Sequence, residues 1–428
     1  MHRGGIRCPP HSRLQATRPE QEAFPLSDMD KKKKLLMWSI LLIALFQMPN
    51  IGITPAINRM YTEVFTDKPL SAIQTAVGLT SMTGPIVALL WAFLIRKDVV
   101  TKRFVILFGT FSLSLAGVLA LFLHGRLWHI GLLAVLLGCG AASYVPNSTS
   151  LLVDNFDGEQ RRKVAGRQVV FSSLGGIFFC VVGGIVASRL WYGGYLLMML
   201  MIPVAVYSLF VIPSYRDSSI GSASPEPGKK SKLNPDTFYY DLWQFFQYFL
   251  YLVFANNISV HFARSGISNP SVAAGFAAAV AMVGSFGVSN VFKKLSTRLG
   301  DMMIPLAYVM IFIGYTILNL FDHSLIMMFV GICITGTSMG LLPPQCVVSV
   351  SKRVDESTSA IAMAVLMAVA AGLGGFLSPI VTTNVTMALG GESTNFRYQF
   401  MAFFSLALAV IVFFLNKYRA KKQAGMYD

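Results

Sequence analysis

Long apolar runs, each close to the length that crosses a bilayer, follow one another along almost the whole chain. This feature limits the possible folds more than any other. A helix needs about 20 apolar residues to cross a hydrocarbon layer of about 30 Å. Such runs fall near residues 35–58, 71–95, 104–123, 127–153, 165–188 and 192–213, and again near 239–262, 271–292, 302–321, 325–349, 359–386 and 399–416. Lipid offers no partner to an exposed backbone amide, so each run is expected to be a helix. The alternating apolar and polar residues of a membrane barrel are absent. The expected fold class is therefore an all-α membrane protein with twelve transmembrane helices, numbered here as spans 1 to 12. Composition agrees: 54% of the 428 residues are hydrophobic and 13% are charged, against about 25% charged in soluble domains. Disordered chains, coiled coils and most soluble enzymes are excluded.

The net charge is +15. On a soluble protein this excess would point to nucleic acid; here the basic residues lie between apolar runs and instead orient the chain. With the N-terminus inside, 29 Lys and Arg fall in inside segments and 6 fall outside, the six being Arg59, Lys68, Arg126, Arg189, Arg264 and Arg397. Both termini are expected to be cytoplasmic, in a cell (inner) membrane protein that partners lipid and no nucleic acid. Residues 1–28 have no apolar core of signal-peptide length and read as a dispensable leader. Met29, Asp30 and Lys31 to Lys34 then form a complete orienting start.

Chemistry that would make the chain an enzyme is missing. Walker, HExxH and G-x-S-x-G motifs are absent. Cys8, Cys139, Cys180, Cys333 and Cys346 show neither paired spacing nor histidine companions. No cofactor and no metal are expected.

The polar stretch from Tyr215 to Thr237 divides the chain in two. The expected organisation is a basic N-terminus (1–34), a six-helix bundle (35–214), a cytoplasmic linker (215–238), a second six-helix bundle (239–416) and a tail (417–428). The halves repeat at a nearly constant offset. Gly138, Pro146 and Asn147 match Gly336, Pro344 and Gln345 at 198 residues, and the Leu-Gly-Gly at Leu174 matches that at Leu373 at 199. Two pseudo-symmetric bundles of six spans with a solute site between them are a transporter architecture.

Uncharged polar residues form stripes. Gln47, Asn50, Thr54 and Asn58 fall at i, i+3, i+7 and i+11 in span 1; Ser143, Asn147, Ser150 and Asp154 do much the same in span 4. Ser338, Gln345 and Ser349 mark span 10, and Gln244, Gln247, Asn256, Asn257 and His261 mark span 7 amid Trp243, Tyr248 and Tyr251. Single Ser and Thr residues read as contacts between helices, worth about 0.6 kcal/mol each. Gln47, Asn50, Asn147, Asn257 and Gln345 read as cavity-lining, because an amide without partners in hydrocarbon is costly. No carboxylate is visible deep in a span; Asp154, Asp241 and Glu63 come closest. Arg59, Arg264 and Arg397 read as interfacial groups near the outer ends.

The segment "SYVPNSTSLLVDNFDGEQRRKVAGRQ" carries Pro146, Asp154, Arg161-Arg162 and Gly166 in order, and "LSTRLGDMM" carries Arg298 and Gly300. With the 6+6 pattern and the central linker, the chain resembles a permease of the major facilitator superfamily over residues ~30–420, the extent such a set of spans needs. The loop "LIRKDVVTKRF" departs from the family motif after span 2, and Phe179-Cys180 stand where an antiporter Gly-Pro would be; a drug/proton antiporter branch is not indicated. The resemblance implies a cavity lined by spans 1, 4, 7 and 10. The substrate-contacting set is then Gln47, Asn50, Thr54, Asn147, Gln247, Asn257, His261, Ser338 and Gln345. It implies gating contacts at Gly175, Gly176, Gly183 and Gly184 in span 5 and Gly372, Gly374 and Gly375 in span 11, with loop charges Asp154, Arg161, Arg162 and Arg298. Amides and aromatic walls suit a neutral or zwitterionic organic solute, carried by a monomer. A multidrug exporter and a non-transporting receptor with a transporter-like fold are the alternatives.

Overall fold

The computed structural model describes residues 30–213, 235–354, 362–363, 365–391 and 393–424. The 1–28 leader and most of the 215–238 linker lie outside them. The described residues form helices and no strands. The long helices are α1 (Lys31–Ala44), α2 (Leu70–Arg96), α3 (Lys102–Leu119), α4 (Leu127–Asn155), α5 (Gly158–Ala187), α6 (Gly193–Val211), α7 (Asp236–Arg264), α8 (Pro270–Ser289), α9 (Met303–Leu320), α10 (Leu325–Ser351), α11 (Val365–Ala388) and α12 (Thr394–Ala424). Ten helices are long and apolar enough to cross a membrane, and α1 with the bent segment Pro49–Val64 makes up to eleven. α7 falls short by composition: Asp236, Asp241, Gln244, Gln247, Asn256, Asn257, His261 and Arg264 dilute its 29 residues.

Local chemistry sets the helix ends. Thr101 caps α3 by accepting from the Phe104 amide at 3.2 Å. Gly300, at φ +52°, makes the left-handed turn between the short helix Phe292–Leu299 and α9. Span 1 departs from expectation. Pro49 and Pro55 each lack an N–H, so the helix stops at Ala44 and resumes as short 3-10 turns. The two parts meet at 46°. Gln47, Asn50 and Thr54 therefore do not share one continuous helical stripe; the period of 3.6 holds only while the helix does.

Two hydrophobic cores form. One draws its buried residues from Leu36 to Ile212, the other from Tyr240 to Val412. Large apolar side chains such as Phe93, Phe111, Phe122, Phe210, Ile326 and Phe414 point outward, as lipid contact requires. The halves meet along two seams, α5 against α8 and α2 against α11. A methyl group on Gly184 would lie 2.7 Å from the Ser271 carbonyl and 2.9 Å from Gly275 Cα, so only glycine permits the α5–α8 approach.

Candidate functional site

The polar side chains collect at three levels. At the end away from both termini (the far end), the halves are bonded together. Gln74 of α2 is fully buried. Its Nε2 donates to the Asn256 carbonyl at 2.8 Å and to Asn257 Oδ1 at 3.0 Å, and its Oε1 accepts from Thr383 of α11 at 2.8 Å. The Asn58 amide donates to Ser259 Oγ at 3.3 Å. Behind this layer sits Arg397, 2% exposed. It donates to Asn257 Oδ1 and, at 3.2 Å, to Thr386 Oγ1. The reading of Arg397 as an interfacial group is thus corrected: the far end of α12 tucks its fourth residue into the bundle. His261 is equally buried, with Nδ1 2.9 Å from Thr394 Oγ1.

At the middle, Gln247 Nε2 donates to Ser338 Oγ at 2.7 Å, and Trp91 Nε1 to Ser143 Oγ at 2.7 Å. Asn147 Nδ2 turns back to the Ser143 carbonyl at 2.7 Å. Gln47 and Asn50 are half-buried at the break in span 1, and Thr54 Oγ1 donates to the Ile51 carbonyl at 3.3 Å.

At the end that carries the termini (the terminal end), each half is tied to itself. Gln345 accepts from Ser296 at 2.7 Å and donates to Asp301 at 3.3 Å and to Ser349 at 3.1 Å. Tyr240 and Ser349 each donate to Asp301 at 2.7 Å, and Arg353 stands 3.7 Å from it. In the other half Lys102 bridges to Asp154 at 2.7 Å. Arg161 closes the α4–α5 turn on the Val153 and Phe156 carbonyls. Arg162 and Arg298, expected as loop charges, are exposed, and the side-chain hydrogen bonds at the start of α9 converge on Asp301.

Asn50, Asn147, Asn257 and Gln345 do not gather at one point. Asn257 lies 21 residues after the start of α7, and Gln345 six residues before the end of α10. Their levels differ by roughly 20 Å at 1.5 Å per residue. Of the seven glycines, Gly176, Gly184 and Gly372 face the opposite half, at Met282, Ser271 and Pro85, and Gly375 lies between Leu252 of its own half and Ser81 of the other. Gly175, Gly183 and Gly374 face their own half, at Leu45, Gly52 and Phe245.

Three participants escaped sequence reasoning. Gln74 is the sole amide in its apolar run, a signal that was there to read. Arg397 gave none, since its position is a loop by hydropathy. Asp241 reads as a span end yet is 4% exposed. A carboxylate is therefore buried in α7 after all, because Trp243, Tyr240 and Phe245 around it in sequence pull that turn inside.

Two helical cores joined by glycine-tight seams, with polar layers at separate levels, define a membrane transporter fold. The family described as Major Facilitator Superfamily matches residues 35–379, and the chain belongs to it. Among solved structures the chain is similar to the nucleoside transporter NupG (13% identity, TM-score 0.72, covering 91% of this chain and 100% of that one). It is also similar to a bacterial homolog of the human lysosomal transporter Spinster, in an inward-facing and unoccupied conformation (15%, 0.65, 90% and 96%). A third is the POT family transporter PepTSo (11%, 0.68, 90% and 98%). Curated proteins gave no match. The chain is an integral membrane transporter.

Proposed function

We propose that the chain is a secondary transporter that moves a small neutral or zwitterionic organic solute by alternating access. In this reading twelve spans form two six-helix halves of a monomer, with both termini in the cytoplasm of a cell-membrane protein. One observation carries it: among the described residues the N–H and O–H hydrogen bonds between the halves, Asn58 to Ser259 and Gln74 to Asn256, Asn257 and Thr383, lie at the far end, and a weak thiol contact from Cys180 to Met282 is the further one, nearer mid-membrane. A bundle latched at its far end fits one of the two states that alternating access requires. The solute class follows from neutral amides on the break in span 1, on α4, α7 and α10, with Tyr248 and Tyr251 on the α7 face between them. Nucleosides and peptides, carried by structural neighbours, fall within that class.

A thermal-shift screen of the purified protein against metabolites, followed by proteoliposome uptake of the hits, tests this. Stabilisation and uptake of one small polar solute, with uptake reduced in Asn147→Leu, is expected. Tight binding without flux would make the protein a receptor. Competition among unrelated amphipathic compounds would make it an exporter of such compounds.

A further inference from the structure

Among the described residues, nine buried side-chain atoms find no hydrogen-bond partner, and five of them belong to residues 241–247: Asp241 Oδ1, Trp243 Nε1, Gln244 Oε1 and Nε2, and Gln247 Oε1. Buried polar groups are nearly always paired, so such a cluster signals a missing occupant. Asp241 is 4% exposed, and Gln244 and Gln247 are wholly buried. At i, i+3 and i+6 they share one side of α7.

That side meets α10. Gln247 Nε2 donates to Ser338 Oγ, and Cys346 Sγ, two turns further along α10, donates to the carbonyl of Tyr240, next to Asp241, at 3.8 Å. The Ser338 hydroxyl spends its one proton on the Thr335 carbonyl at 2.6 Å. It must therefore accept from Gln247, which fixes that amide and leaves its oxygen free. Between these levels Pro343 and Pro344 stand inside α10. Having no N–H, they deprive the Met339 and Gly340 carbonyls of their helical donors. Arg353, at the same end, is 3.7 Å from Asp301 and lies over the Tyr240 ring, and among the described residues no ion pair reaches Asp241. Of the five orphan atoms, Trp243 Nε1 and Gln244 Nε2 are donors, and Asp241 Oδ1, Gln244 Oε1 and Gln247 Oε1 are acceptors that no cation of the described residues meets.

We propose that the α7–α10 seam at Asp241, Gln244 and Gln247 binds a small monovalent cation, either an alkali ion or the ammonium group of a solute. Both are compact positive groups that oxygen acceptors satisfy. The site goes beyond the transport reading, which survives its failure.

The test is the thermal midpoint of the full-length purified protein, titrated with sodium chloride or with methylammonium chloride, choline chloride holding ionic strength constant. A rise with sodium identifies an inorganic ion, and a rise with methylammonium alone identifies an ammonium group. In either case Asp241→Asn weakens the response about tenfold or more, as loss of a charge-assisted contact should. Gln244→Leu guards against misfolding of that variant. Removing an unpartnered amide leaves the basal midpoint level or higher, while the cation response falls. No response to either cation, or an equal response in wild type and both variants, overturns the site.

Discussion

At the far end the halves are bonded to each other through Gln74, Asn58 and Thr383, whereas at the terminal end Asp301 and Asp154 each collect partners from their own half. The strengths differ in kind as well as place. Four hydrogen bonds at about 0.6 kcal/mol each hold the far end by roughly 2–3 kcal/mol. Differential binding on that scale shifts such an equilibrium strongly. Among the described residues the Asp301 and Asp154 networks each bond within one half. The far-end contacts between halves are neutral; those within each half at the terminal end carry charge.

The largest effect comes from the seam beside the far-end latch. Gly184→Ala puts a methyl group against Ser271 and Gly275. It should destabilise the protein by about 1–3 kcal/mol through overpacking. Gly166→Ala, on the same helix near the terminal end, meets nothing within 4 Å and should gain about 0.5–1 kcal/mol from helix propensity. Thermal midpoints of the two purified variants check the contrast. Equal shifts would dissolve the distinction between the two ends of α5.

An effect of comparable size is expected at the latch itself. Gln74→Leu removes the side chain that links Asn256, Asn257 and Thr383. Losing buried partners costs about 1–3 kcal/mol, so the far end should open about 5- to 150-fold more often. A cysteine introduced as Ser259→Cys, opposite Asn58, reports this as faster labelling by a thiol reagent. An unchanged rate would show that the glycine seams hold the far end without Gln74.

Much of this fold was legible. Apolar runs of bilayer-crossing length gave the helices, and several glycines singled out in spans 5 and 11 stand at seams between the halves. The misreadings share a cause: periodicity presumes an unbroken helix, and hydropathy presumes that a charge stays where the run ends. Pro49 and Pro55 broke the first presumption, so Gln47, Asn50 and Thr54 lost their common stripe. Arg397 and Asp241 broke the second, because the chain carries both side chains inward from the span ends. Partners across the halves, such as Gln74 and Asn257, are 183 residues apart in sequence and leave no local signal.

The smallest effect is expected at the terminal end of the first half. Lys102 and Asp154 bridge at 2.7 Å with their side chains 14% and 23% exposed. Lys102→Met removes the bridge while water still reaches the carboxylate. A bridge so placed contributes about 0.2–1 kcal/mol, and the midpoint should fall accordingly. Because salt screens surface charge over about 3 Å at 1 M, raising the salt should narrow the gap between wild type and variant. The Gln74→Leu gap, made by neutral groups, should stay the same. Labelling of Ser259→Cys should not respond to Lys102→Met, since the bridge ties α3 to α4 within one half. A faster rate would mean that the terminal end speaks to the far end, and that the two ends are one switch.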